Sequence, residues 1–305
     1  MIAGVIVVPI LSPFQTGSVA SDYSSWRIPV SGNPDMWFAP AATTDPDTGL
    51  THWLGTDRFG RDEMTRLFLG GRVTLASALI ATVLTTTLGV LVGLVAGFYG
   101  GWVDTVFMRF TDFVLAWPLI PAYIIFISFM RNLIFVGASF DSYTELVRNL
   151  LVMLGIVIGG FVLFSWMGVA RLVRGTVLTL RTQPFIEATR ALGAGNSRII
   201  FKHLLPNALS PILVAATVMV GEFILWEAAL AYFGQGIPEP PAASWGNMLA
   251  SAQSHIAFVI HPNPFEEIRF YIFLLPCLMV LITVLAINFI ADALRAALVT
   301  NQGHS

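Results

Sequence analysis

The chain has 305 residues, of which 56% are hydrophobic and only 11% are charged. Soluble domains carry about 25% charged residues, so a water-facing globular enzyme and a disordered chain are both excluded. A net charge of −2 offers no basic field for nucleic acid, and the single cysteine, Cys277, sits in an apolar run and permits no internal disulfide. The composition is that of an integral membrane protein with room for several spans of about 20 residues.

In chain order, the first apolar segment is Met1–Phe14, interrupted by Pro9 and Pro13. As a helix it would reach about 21 Å, short of a hydrocarbon core of about 30 Å. Ser18-Val19-Ala20 has the small residues of a cleavage site, but no Lys or Arg precedes the apolar run, as a signal peptide requires. Residues 1–14 are therefore expected to be a short or truncated first span, and residues 15–72 an external loop leading into the second.

Val73–Tyr99 is the second span. Its Gly89, Gly93 and Gly97 fall four apart on one helix face, where small residues let another helix approach closely. Val106–Met130 is the third, expected to bend at Pro118 and Pro121. Leu150–Ala170 follows with Gly155 and Gly159 again four apart, and Ala208–Phe233 and Phe270–Ala291 complete the set. The fold class expected is an all-α integral membrane protein with five or six transmembrane helices, its main domain covering residues 73–298.

Basic residues orient the chain. Six of the sixteen fall in Arg171–His203, namely Arg171, Arg174, Arg181, Arg190, Arg198 and Lys202, whereas Leu204–Ile268 holds none. The positive-inside rule puts the first segment in the cytoplasm and the Gly234–Ile268 loop outside. Alternation places the Gly100–Thr105 turn and the carboxyl tail inside, and Gln15–Arg72 outside. That last stretch carries five arginines, which strains the rule, although seven acids accompany them.

The cytoplasmic segment 182–206 is the most informative. Pro184 suits a first helical turn and Gly193 a carboxyl-terminal stop. Between them Phe185, Ala188 or Thr189, and Leu192 form an apolar stripe at helical spacing. Asn196 or Ser197 then caps a second short helix running toward His203, and Pro206 opens the next span. Such a hairpin could lie on lipid headgroups or present a docking surface, and physics alone does not choose.

Glu187-Ala188-Thr189, then Gly193, then Leu205-Pro206, resembles the "EAA" signature of permease subunits of ABC importers. Thr189 replaces a smaller residue of that signature, and His203 stands where the general pattern has Ile. The longer string from Ala191 to Asn207 is similar to the dipeptide/oligopeptide/nickel subgroup, in which that His is familiar. Further resemblance to the C-type peptide permease subunit runs through His52–Asp62, Tyr99–Asp104, Met108–Asp112 with Ala116–Pro118, Glu227–Gly234, Ser244–Leu249 and Asn288–Arg295.

The resemblance implies a type I ABC importer permease in a prokaryotic cell membrane. It implies a homologous permease subunit, two ATPase subunits and an external substrate-binding protein as partners, and peptides or related small solutes as cargo. ATP and magnesium would then belong to the ATPases. This chain has no Gly-x-x-x-x-Gly-Lys-Ser/Thr loop, its one lysine being Lys202, so no catalytic residue or cofactor is expected on it. By the same resemblance the ATPase-coupling residues are Glu187, Ala188, Arg190, Gly193, His203, Leu205 and Pro206. Glu187 could instead simply favour a helix amino terminus, an effect of about 0.3–1 kcal/mol.

Outside the hairpin, Glu222 and Glu227 lie within an apolar span, where a charge costs about 2.5–3.5 kcal/mol on insertion scales. Both are candidates for the pathway. Glu227 fits the family pattern near the outer end, while Glu222 could read a substrate amino group or hydrogen-bond a neighbouring helix. Asp112, a third pathway candidate, is expected to pair with Arg109 at i, i+3 or to anchor at headgroups. Trp102, Trp117, Trp226 and Trp245 are candidates for interfacial belts. His52, His203, His255, His261 and His304 are scattered, so no metal site is expected. A self-sufficient secondary transporter or channel would show an inverted repeat or broken-helix charge pattern, and a membrane enzyme a catalytic cluster at one depth. Neither is evident.

Overall fold

A computed structural model describes residues 42–46, 51–57, 60–135, 143–237, 239, 243–256 and 270–302. The expected first span, residues 1–14, lies outside them. A small antiparallel pair, β1 (Thr43–Thr44) and β2 (Thr51–His52), is in register Thr43 to His52 and Thr44 to Thr51. The helices are α1 (Glu63–Tyr99), α2 (Gly101–Leu115), α3 (Leu119–Ile134), α4 (Tyr143–Leu180), α5 (Pro184–Ala191), α6 (Asn196–Tyr232), α7 (Trp245–Ile256) and α8 (Phe270–Gln302). Among the described residues α1, α4, α6 and α8 are long and apolar enough to cross a membrane, and the bent pair α2 and α3 can count as a fifth span.

The third expected span is not a single bent helix. It breaks after Leu115 into α2 and α3, turned by 89°. Pro118 drives Trp117 away from helical backbone, and α2 closes with the Ala116 and Trp117 amides on the Asp112 and Val114 carbonyls. The separate short helix expected after Asn196 is also absent. The chain runs from Asn196 to Tyr232 as one helix through a π-helical turn at Ile199–Leu204. Pro206 supplies no N–H, and its ring crowds the carbonyl four residues back, which favours a wider turn just ahead of it. The Leu205 amide accordingly reaches back five residues to the Ile200 carbonyl.

The chain forms two compact units. One comprises Met1–Ser77, Ile127–Val157 and Ile224–Thr283, and the other Ala78–Phe126, Ile158–Phe223 and Val284–Ser305. In the first, Leu150 and Ile237 form a buried apolar cluster against Val73 and Leu154. In the second, Trp166, Met167 and Ala170 are packed by Val92 and Val114.

The second unit contains the glycine seam expected on α1. A β-carbon at Gly89 would lie 2.6 Å from the Val169 side chain, and one at Gly93 would lie 2.6 Å from the Ala170 carbonyl. One at Gly97 would be 2.9 Å from Val177. The three glycines therefore set how closely α1 and α4 approach. The parallel expectation for Gly155 and Gly159 fails, since a β-carbon at either meets nothing within 4 Å, and it is Gly160 that packs, on Phe126 and Tyr123. Spacing identifies a shared face but not whether a neighbour lies on it.

This contrast gives a direct test. Gly93→Ala should lower stability by about 1–3 kcal/mol, the usual cost of overpacking, while Gly155→Ala should be neutral or slightly stabilising. Thermal unfolding of both variants in detergent separates them.

Candidate functional site

Two constructions stand out, one at each charged region that the sequence picks out. The first is the segment after α4. Arg171 and Arg174 lie toward the carboxyl end of α4 and Arg181 just beyond it, and each meets the α1–α2 corner or α2 itself. Arg174 donates to both carboxylate oxygens of Asp104, the Nη2 bond measuring 2.6 Å, and Arg171 pairs with Asp112. Arg181 Nη1 donates to the Gly97 carbonyl at 3.1 Å, placing a cation on the carboxyl end of α1. Asp112 is thus paired with Arg171 on another helix. The partner expected at i, i+3, Arg109, makes no such ion pair among the described residues. Half of the six basic residues in this region therefore hold helices together, and Arg190, Arg198 and Lys202 are exposed.

The hairpin itself is locally determined. Gln183 is the extended residue before α5 and Pro184 occupies the first turn, where its missing N–H costs nothing. At the other end Gly193 has φ +81°, its amide donates to the Arg190 carbonyl, and the Ala194 amide donates to the Thr189 carbonyl. These two bonds form a Schellman stop, which needs the left-handed backbone that glycine adopts without strain. Ile186 is the buried anchor of α5, and Ile199, Ile200 and Leu204 are buried on the π-helical turn. The carbonyl of His203 accepts from the Asn207 side-chain amide at 2.6 Å, which satisfies a group released near Pro206.

The apolar stripe predicted on α5 points outward. Leu192 is 88% exposed, Phe185 is exposed, and Phe201 on α6 is exposed too. Glu187, Ala188 and Arg190 are exposed as well. The hairpin is a fixed, short protrusion carrying apolar side chains, one carboxylate and several cations.

The second construction lies in the first unit, around the start of α1. Arg66 is fully buried and its guanidinium is saturated by carboxylates. Its Nε and Nη2 donate to Glu239 at 3.0 and 2.9 Å, a bidentate pair, while Nη1 reaches Glu63 at 2.6 Å and Asp57 at 3.2 Å. Arg61 joins Asp57, through Nε at 2.7 Å, to Glu239, through Nη1 at 2.9 Å. Burial acts to raise the Asp57 carboxyl, but Arg66 and Arg61 outweigh it and hold the group below the usual carboxylate range. Alongside, His52 Nδ1 and Asp62 are 3.0 Å apart, and Asp62 also accepts the Thr65 amide at 2.8 Å.

The same unit hooks the Ser244-Trp245-Gly246 segment onto α1. Trp245 is fully buried, with its indole N–H donated to the Leu67 carbonyl at 2.8 Å and its amide to Thr74 Oγ1 at 3.1 Å. The expectation of an interfacial Trp245 is corrected here, because the ring fills the unit's interior. Ser244 Oγ donates to Glu227 at 2.7 Å and accepts the Asn247 amide. A β-carbon at Gly246 would fall 2.7 Å from Glu227 Oε1, so that position is closed to larger residues. Glu227 is buried in this contact, whereas Glu222, five residues earlier on α6, is exposed.

None of Arg66, Glu239 or Asp57 was among the residues singled out in the sequence. A signal existed: Glu239 lies in a segment with no basic residue, while the lead-in carries more arginines than the positive-inside rule favours. The ion network accounts for that tension, because Arg61 and Arg66 are neutralised in place. The described part of the loop after α6 also contains a helix, α7, that the sequence reading left as loop.

With this geometry in hand, comparison with known proteins places the chain. It belongs to the family described as the binding-protein-dependent transport system inner membrane component, matched over residues 89–302. A Brucella suis biovar 1 protein, named as a candidate peptide permease, is 37% identical over 81% of this chain and 72% of its own length. The dipeptide transport system permease protein DppC of Alkalihalophilus pseudofirmus is 36% identical over 86% of this chain and 79% of its own. In fold, the chain is similar to a subunit of the inward-facing MetNI methionine ABC transporter, with a TM-score of 0.55 at 20% identity, covering 76% of this chain and 95% of that one. The protein is a multi-pass inner-membrane permease of a binding-protein-dependent ABC importer, a class that works with an ATPase and a substrate-binding protein.

The charge network predicts a stability pattern. Arg66→Ala leaves buried carboxylates uncompensated and should cost about 3–5 kcal/mol, whereas Arg66→Met with Glu239→Leu should cost much less than the two single changes together. Thermal unfolding of the four variants in detergent measures the coupling. Because the Asp57 value is depressed on folding, its contribution is complete above the ordinary carboxylate value and is lost as pH falls through the lower folded value.

Proposed function

We propose that this chain forms, with a homologous permease subunit, the membrane pathway of an importer for peptides or related small solutes. In this reading an external binding protein delivers the cargo, and two cytoplasmic ATPase subunits, binding ATP and magnesium, drive the cycle. The chain itself hydrolyses nothing. The peptide assignment is supported by relatives named for peptide and dipeptide transport over most of the chain. Family membership also favours this over a self-sufficient secondary transporter or channel.

The observation that carries the coupling role is the exposed stripe on a rigidly stopped hairpin. Three exposed apolar side chains on a charged, water-facing loop are costly unless a partner covers them. Glu187 and Arg190 add complementary charge beside them, and Gly193 fixes the angle at which α5 is presented. In the proposed cycle the ATPases pull on this protrusion. Movement passes directly into α6, because no loop separates the π-helical turn from the span. His203, Leu205 and Pro206 serve that transmission by shaping the turn, and Ala188 keeps the docking face low.

The test is the double variant Glu187→Lys with Gly193→Asp in the assembled importer. It should remain in the membrane but lose ATP-driven uptake by at least tenfold. Normal uptake by that variant contradicts a coupling role for the hairpin.

A further inference from the structure

Glu222 and Asp292 are the described acids of the second unit that neither the hairpin nor the cross-helix ion pairs account for, and Glu222 is the one on α6. It lies ten residues before Tyr232, the end of α6. At 1.5 Å per residue this is about 15 Å, half the thickness of a hydrocarbon core of about 30 Å. Sequence reasoning left two uses open, reading a solute's cationic group or hydrogen-bonding a neighbouring helix. The second does not occur within this chain, since Glu222 is exposed and makes no hydrogen bond or ion pair among the described residues. Its carboxylate contrasts with Glu227, Asp104 and Asp112, each of which has a named partner.

Among the described residues no cation pairs with Glu222. Tyr123 on α3 lies within electrostatic reach of Glu222, and its hydroxyl is 3.0 Å from Ser165 Oγ on α4. One turn before Glu222, Met219 receives the Thr86 hydroxyl of α1 at 4.0 Å. Of these hydroxyls it is Tyr123's that is linked to Glu222 itself, while the Thr86 contact is made to Met219. An ionised group at that depth does not face lipid without severe cost, so it faces water or a cationic partner.

We propose that Glu222 lines the solute pathway and binds a positively charged group of the passing cargo. This rests on the peptide-importer reading above and adds to it a specificity-determining residue. A carboxylate with no ion-pair partner among the described residues suits a transient ammonium or guanidinium. It offers attraction at the midplane without a fixed countercharge that would compete with the cargo.

The experiment uses the whole importer in proteoliposomes with its binding protein, ATP, and pairs of peptides differing only by lysine against norleucine. The wild type should take up both members of a pair. Glu222→Gln should reduce uptake of the lysine peptide at least fivefold and leave the norleucine peptide within twofold, and Glu222→Asp should largely restore the difference. Equal loss for both peptides, as expected if Glu222 pairs with a cation of the neighbouring permease subunit, overturns the proposal, and so does no change for either. If the wild type takes up no peptide, the peptide reading itself fails and the proposal falls with it. That outcome is distinct from a peptide importer indifferent to Glu222.

Discussion

A charge removed from water must be neutralised where it sits, and this chain has few charges with which to do it. Arg66 states the constraint most plainly. Buried completely, it is held by Glu239, Glu63 and Asp57, and those contacts tie the lead-in, the start of α1 and the segment after α6 into one structure. The arrangement is less a source of stability than a specification. Replacing such a cluster by apolar groups can be neutral, but removing one member is not. The Ser244–Gly246 hook beside it depends on the same closure, because Trp245 is seated between Leu67 and Thr74.

The same rule organises the second unit with different partners. Arg171 and Arg174 bind acids on α2, and Arg181 caps the end of α1. The glycine seam lets α1 and α4 approach closely, and Arg181 then reaches the Gly97 carbonyl at the end of α1. Beyond the charges paired in this way, others remain exposed. The hairpin shows Glu187, Arg190 and an apolar stripe, and the middle of α6 shows Glu222.

Much of this was legible in the sequence. Hydropathy located the spans, and Pro184 and Gly193 marked the limits of α5 by local chemistry alone. Pairing was harder to read. Asp112 has Arg109 at helical spacing, yet its partner is Arg171, fifty-nine residues away. Gly155 and Gly159 repeat the spacing of Gly89 and Gly93, yet among the described residues nothing lies within 4 Å of a β-carbon at either. Trp245 looks like an interfacial residue until α1 closes over it. Each of these outcomes is set by which helices become neighbours, and local pattern does not encode that. The turn at Ile199–Leu204 was hidden for another reason, since Pro206 reads locally as a start and is here absorbed within a helix.

The central claim is that the hairpin's exposed face is covered by the ATPase. Leu192 is its most exposed apolar side chain, and Cys277 is the one native cysteine. A Leu192→Cys variant with Cys277→Ser, labelled with a short photoreactive maleimide in membranes containing the whole importer, reports what lies against that face. The account predicts an adduct with the ATPase subunit whose yield changes on adding ATP. Adducts with lipid alone, and none with the ATPase under any nucleotide condition, would contradict it.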